Sequence, residues 1–169
     1  MNKINSLEEL FLDQLRDLYS VEVQLVEALA LMSETASCEE LKKAFVEHLD
    51  GTVDHLNRLE EIFKNHDANP RGKPCAPMEG LVRECRDLIR GDVHPGVMDA
   101  GLIAIAQKAE HYEIAGYGTA KAYASLLEDR HAEKILHATL EEEKNMDRKL
   151  SLLAEGFVNK EARQAAVSS

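Results

Sequence analysis

The sequence predicts an all-α protein built on four long helices packed as a bundle, and three observations carry that expectation. Only 5% of residues are aromatic, Trp is absent, Pro numbers four, and Leu, Ala, Glu and Lys dominate, which is helix-forming rather than sheet-forming material. Apolar residues recur at alternating steps of three and four through four separate stretches. The breaks between the first two and the last two stretches are short, whereas the middle one runs to roughly thirty residues, which suits two antiparallel hairpins joined by a crossover.

The first helix is expected from Ser6 to Glu34, opened by the capping box of Ser6 and Glu9 and lined by Leu7, Phe11, Leu15, Leu18, Leu25, Leu29 and Met32. Position 22, which completes that series, is Glu. After the TASC turn, Ser37 and Glu40 form a second capping box, and a helix to His66 carries the seam Leu41, Phe45, His48, Thr52, His55, Leu59, Ile62. The segment HDANPRGKPCAP holds three of the four prolines and cannot continue a helix. A short amphipathic helix is expected over 78–89, before a second break at GDVHPG. The third long helix, Val97 to Leu127, has the seam Ile103, Ala106, Glu110, Glu113, Tyr117, Ala120. The EDRH turn leads to the fourth, Ala132 to Gly156, with the seam Leu136, Leu140, Glu143, Asp147, Leu150, Ala154.

At 169 residues and 44% apolar content the chain makes one domain with a real core. That domain spans residues 1–158, and 159–169, with little to bury, is expected to fray. Asp and Glu exceed Lys and Arg by 31 to 20, a net charge of −11, which argues against nucleic acid or an anionic membrane as partner. No run of eighteen apolar residues and no secretory signal pattern is present, so the chain is read as cytoplasmic. Cys38, Cys75 and Cys85 match no zinc or redox spacing and are read as reduced thiols.

The polar residues in these seams are the functional signal. Residues equidistant from a short interhelical turn lie at one height. Reflecting Glu22 about a turn near residue 36 lands between His48 and Thr52, and reflecting Glu110 and Glu113 about a turn near 129 lands beside Glu143 and Asp147. The two layers stack into one site of Glu22, His48, His55, Glu110, Glu113, Glu143 and Asp147. Five carboxylates and two imidazoles without a buried Lys or Arg repel one another unless a cation neutralises them. Carboxylate with imidazole in a bundle core is the ligand set of di-iron and di-manganese sites. Tyr19, Gln107 and Tyr117, one turn away, are candidates to orient the ligands. The competing reading rotates the seam by one position, which would expose Glu113 or Asp147, and lets Lys108, Lys121, Lys144 and Lys149 fold back into ordinary, weak ion pairs. His66, His94, His111, His131 and His137 fall off the seams or at helix ends and are read as solvent or capping residues.

The stretches LYSVEVQL, HLDGTVDHLNRLEEIF, CAPMEGL, AQKAEHYEIAGYGTA and TLEEEKNMDRKL together resemble the YciF/YciE family of ferritin-like proteins, over about residues 4 to 158, with AEHYEIAGYGT the most specific piece. The resemblance implies a rubrerythrin-like four-helix bundle with an extra short helix in the crossover, a homodimer, a dinuclear metal site and a link to stress in bacteria. The family's polar core maps onto Glu22, His48, Glu110, Glu113, Glu143 and Asp147. Similar proteins often read HLEET where this chain has His48, Leu49, Asp50, Gly51, Thr52, so one family carboxylate is absent at Gly51. Two functions are therefore weighed: a ferritin-like protein using iron or manganese in oxygen or peroxide chemistry, and a metal-free helical stress or binding module with a decayed site. The sequence names no substrate and no redox partner, and nothing specific in it supports a storage cage.

Overall fold

Six α-helices account for most of the chain in the computed structural model, which describes residues 4–165. They are α1 (Leu7–Thr35), α2 (Glu39–Asn65), α3 (Ala76–Arg90), α4 (Pro95–Leu126), α5 (Arg130–Leu153) and α6 (Asn159–Ala165), with one π-helical turn, Ala154–Val158, between the last two. The fold is all-helical, with α1 paired to α2, α4 paired to α5, and the two hairpins meeting through α1 against α4 and α2 against α5. The crossover helix α3 lies on α1 and α4.

Local chemistry explains the element ends. Ser6 caps α1, its hydroxyl accepting from the Glu9 backbone N–H. Asp129 caps α5 by accepting from Ala132 N–H, directly after Glu128 adopts φ 60° and ends α4, the left-handed residue on which helices commonly stop.

Two expectations about helix ends need correction. Ser37 does not cap α2: the N-cap is Cys38, without a side-chain capping bond. The Ser37 hydroxyl instead donates to Asp99 Oδ2 at 2.6 Å, and the N–H groups of Ser37 and Cys38 donate to Asp99 Oδ1 and Oδ2 at 2.8 and 2.9 Å. A buried carboxylate from α4 thus closes the start of α2. The Asp99→Ala variant leaves these donors unmatched, and a loss of about 2 kcal/mol, or about 4–8 °C in Tm by thermal circular dichroism, is expected. The second correction concerns the tail. Residues 159–165, expected to fray, form α6, which lies against α4; a Cβ added to Gly96 would sit 3.6 Å from Ala162 N, so the contact is a close backbone approach at the start of α4, with Ala162 half-buried there. Residues 166–169 of that expected tail lie outside the described residues.

The core is divided. One apolar cluster gathers Phe11, Leu15 and Leu18 with Leu59, Phe63, Ala120 and Leu136. The other gathers Leu25, Leu29, Phe45, Leu102, Ala106 and Leu150 with Met78 and Cys85 of α3. Each buried Leu or Phe contributes about 1.5–3 kcal/mol, so these two clusters hold the bundle. Between them, in chain position on every long helix, fall the polar residues: Glu22 between Leu18 and Leu25, His48 after Phe45, Glu110 and Glu113 between Ala109 and Tyr117, Glu143 between Leu140 and Met146.

Candidate metal centre

Helix geometry brings these polar residues together. Glu110 and Glu113, three apart on α4, point the same way, as do His48, Thr52 and His55 on α2. Glu22, Glu110 and Glu113 are 0% exposed, Glu143 1%, His55 2% and His48 4%. His48 Nδ1 lies 3.0 Å from Glu110 Oε1, and its Nε2 lies 3.3 Å from Glu143 Oε2. His55 Nδ1 lies 2.9 Å from Glu143 Oε1 and 3.4 Å from Glu22 Oε1. Two overlapping groups of ligand atoms result, His48 with Glu110, Glu113 and Glu143, and Glu22 with His55 and Glu143, each with its atoms within 4.8 Å of one another. Glu143 is common to both.

These close approaches lack hydrogen-bond alignment. Both oxygens of Glu110, Glu113 and Glu143, both nitrogens of His48, Nδ1 of His55, Oε2 of Glu22 and the Thr52 hydroxyl are buried without a hydrogen-bond partner. Such orphaned groups cost about 1–3 kcal/mol each, more when charged, and native interiors avoid them. No Lys or Arg is buried among the described residues. Lys108, Lys144 and Lys149 pair instead with Glu84, Glu141 and Glu47 at the surface.

Around the cluster, Tyr117 donates its hydroxyl proton to Glu22 Oε1. Gly116, beside it, lets α4 approach α1: a Cβ there would sit 2.7 Å from Leu18 Cδ2. His55 Nε2 meets Glu142 Oε2 at 2.8 Å, and Arg58 holds that carboxylate with both Nη atoms, at 2.7 and 3.1 Å, while Nη1 also reaches the Thr139 hydroxyl. His55 thus presents Nε2 to Glu142 and Nδ1 to Glu22 and Glu143, an orientation that the Arg58-held carboxylate fixes. This Arg58, Glu142 and Thr139 support is absent from the sequence reading, because it joins α2 to α5, helices that no short turn relates.

Three assigned residues fall elsewhere. Asp147, with a side chain 20% exposed, is outside the cluster; it accepts from Gln107 Nε2 at 3.1 Å and lies 3.5 Å from the exposed His111. The buried seam of α5 runs Leu140, Glu143, Met146, Leu150, a step of three where the sequence reading took four, which rotates Asp147 out. Gln107 donates to Asp147 and Ser151 rather than to the buried acids. Tyr19 donates to Glu60 at 2.8 Å and stacks edge-on against Phe63, on the flank of α1 away from Glu22.

The family description DUF892, a domain of unknown function, matches residues 6–163, and the protein YciF of Escherichia coli (strain K12) is 42% identical over 165 residues, 96% of this chain and 99% of its own. The chain belongs to this family. The crystal structure of the E. coli stress protein YciF matches at a TM-score of 0.88 with 42% identity, covering 93% of this chain and 99% of that one. YcfI of Rhodopseudomonas palustris matches at 0.85 with 36% identity, covering 89% and 96%. A protein of Xanthomonas campestris pv. campestris, at 18% identity and a TM-score of 0.78 over 95% and 99%, shares the fold.

In this DUF892 chain the electrostatics follow from burial. Burial disfavours the charged form of His48, but Glu110 and Glu143 more than offset it and lift the imidazole to about 10. His55, against the same burial, is lifted to about 11 by Glu143 and Glu22. Burial pushes Glu110 up to about 8 despite His48. It raises Glu113 well above the carboxylate range, with repulsion from Glu143, Glu22 and Glu110 acting the same way. Glu22 is raised by burial and partly relieved by His55. Glu143 alone moves down: burial would raise it, but the two imidazoles hold it well below its ordinary value. Extra protons thus balance the cluster, and protons are what a cation displaces on binding. The donor set suits such a cation. Four buried glutamates, Glu22, Glu110, Glu113 and Glu143, carry four negative charges when ionised, which two divalent ions match. Gly51 adds no ligand; a Cβ there would meet only His55 Cε1, at 3.9 Å, so the position borders the Glu22 and His55 group and leaves space beside it.

Proposed function

We propose that the chain is a ferritin-like metal protein whose buried centre takes two divalent ions, iron or manganese. Glu110, Glu113 and His48 serve one, Glu22 and His55 the other, and Glu143 both. The observation that carries this is the set of buried carboxylate and imidazole atoms at ion-pair distance without hydrogen-bond alignment. Iron or manganese there supplies redox chemistry toward oxygen or peroxide. The chain's own residues hold the ligands in place: Tyr117 steadies Glu22, Glu142 and Arg58 fix the His55 ring, and the two apolar clusters exclude water above and below. E. coli YciF is called a stress protein, and on that likeness we assign this chain to a stress response. No helix among the described residues is long and apolar enough to cross a membrane; a cytoplasmic homodimer is carried into the proposal from the sequence and family likeness.

The test is metal loading of chelator-treated protein with ferrous iron or Mn(II). One to two equivalents are expected by metal analysis, and at a hundredfold excess over Kd the bound ion raises Tm by about 5–10 °C. Less than about a tenth of an equivalent with no Tm change is the result that sinks the reading. In that case the second reading stands, a metal-free helical stress or binding module balanced by its own protons, which the missing carboxylate at Gly51 favours.

A further inference from the structure

The buried acids have few polar links to the surface. Among the described residues, the cluster hydrogen-bonds two side chains outside it: Tyr117, bonded to Glu22 and 1% exposed, and Glu142, bonded to His55 with a side chain 47% exposed. The His55 ring therefore stands between solvent and the centre. Its Nε2 lies 2.8 Å from Glu142 Oε2 and its Nδ1 2.9 Å from Glu143 Oε1, so one imidazole separates an exposed carboxylate from the glutamate that both ligand groups share.

Glu142 keeps room for a further partner. His55 and Arg58 Nη1 both meet its Oε2, whereas Oε1 takes only Arg58 Nη2, at 3.1 Å, and a carboxylate oxygen offers two lone pairs. Gly51, in turn, leaves the ring somewhere to go. It lies one turn before His55 on α2 and is half-buried; a Cβ built there would have His55 Cε1, at 3.9 Å, as its one neighbour within 4 Å. A long side chain at this position would stand against that edge of the ring, and glycine leaves the edge free.

We propose that this flank, between α2 and α5, is the door to the centre for a divalent cation: Glu142 binds the cation first, at the surface, and His55 turns aside at Gly51 to admit it. The proposal rests on the metal reading above. Arg58 is the latch, since its guanidinium competes with a cation for Glu142 and, while paired, holds the His55 ring in place. The net charge of −11 draws cations toward the surface. Glu142 can take one there with part of its water still bound, whereas Glu22, Glu110, Glu113 and Glu143 are at most 1% exposed and require it stripped.

The test is stopped-flow mixing of chelator-treated protein with Co(II), whose visible absorption reports ligation, followed by release into excess chelator. Glu142→Gln keeps the shape and removes the charge; it should slow uptake about tenfold, and added salt should slow wild type more than this variant. Arg58→Gln frees the carboxylate and should speed uptake about threefold. Gly51→Leu, a substitution that favours the helix, should slow uptake and release alike, by about fivefold. Asp147→Asn, outside the cluster, should load at the wild-type rate. Wild-type uptake rates in both Glu142→Gln and Gly51→Leu overturn the proposal. So does a Glu142→Gln protein that loses affinity through faster release alone, which is the mark of a residue that only holds the ring. Wild type that takes up no Co(II), Mn(II) or ferrous iron refutes the metal reading and the door with it, whereas wild type that loads while both variants keep pace refutes the door alone.

Discussion

The Glu143→Gln variant is expected to abolish metal binding and, in the metal-free protein at about pH 7, to lower Tm by about 6–20 °C, corresponding to about 3–5 kcal/mol. Glutamine keeps the volume, so packing is little disturbed and the effect reads the charge. Both ligand groups include Glu143, so one substitution strikes both. In the metal-free state it is also the anion that both buried imidazoles face, His48 at 3.3 Å and His55 at 2.9 Å. Removing one partner from a buried ionic set leaves the other uncompensated, the costliest way to break such a set. The histidines can shed their protons in response, which limits the loss and makes it smaller as pH rises through their raised values of about 10 and 11. Asp147→Asn is the internal control. Asp147 sits outside the cluster against Gln107, and its replacement should leave metal stoichiometry unchanged and stability within about 0.5 kcal/mol. Wild-type metal content in Glu143→Gln, or loss of metal in Asp147→Asn, would reverse the assignment of these two residues.

That contrast also shows where sequence reading reaches and where it stops. The helices were legible because each long element carries an unbroken apolar seam between visible caps and breakers, and the height of the polar layer followed from two short turns. Glu22, Glu110, Glu113, Glu143 and the two histidines meet where reflection about those turns puts them. Rotation of a helix about its own axis is harder to read. On α5 the seam can step from Glu143 to Met146 or to Asp147, and only packing against α2 and α4 chooses Met146. Tyr19 fails for a similar reason: three residues before Glu22 is the right height, but the flank faces Glu60 and Phe63. Contacts between helices that no short turn connects leave no local trace. Glu142 against His55 and Asp99 against the start of α2 are of this kind, and the contact of α6 with α4 is another.

The Glu113→Gln variant is expected to act in the opposite sense to Glu143→Gln: it stabilises the metal-free protein at about pH 8 by about 1–2 kcal/mol while weakening metal binding. Glu113 is fully buried, and both of its oxygens lack partners. Burial and then its glutamate neighbours raise its proton affinity, so near pH 8 folding must either carry a proton in from solvent or bury a repelled charge. The sign is fixed by linkage. A carboxyl raised in the folded state contributes stability that is complete below its ordinary value of 4.5 and is lost as pH climbs toward the folded value, which for Glu110 is about 8. His48 works in the same direction over a higher window, from 6.5 to about 10. Glu143 opposes them only in acid, below its ordinary value. Metal-free Tm should therefore fall as pH rises from about 5 to about 9, and the fall should be shallower in Glu113→Gln. Bound metal reverses the trend in its own contribution, since protons compete with it for these ligands and binding strengthens as they leave. The Tm difference between loaded and metal-free wild type should widen across the same range. Differential scanning at several pH values, with and without ferrous iron, reads both slopes at once. A metal-free protein whose Tm rises toward pH 9 means that the buried glutamates are not held by protons, and a gap that does not widen with pH means that they do not hold the metal.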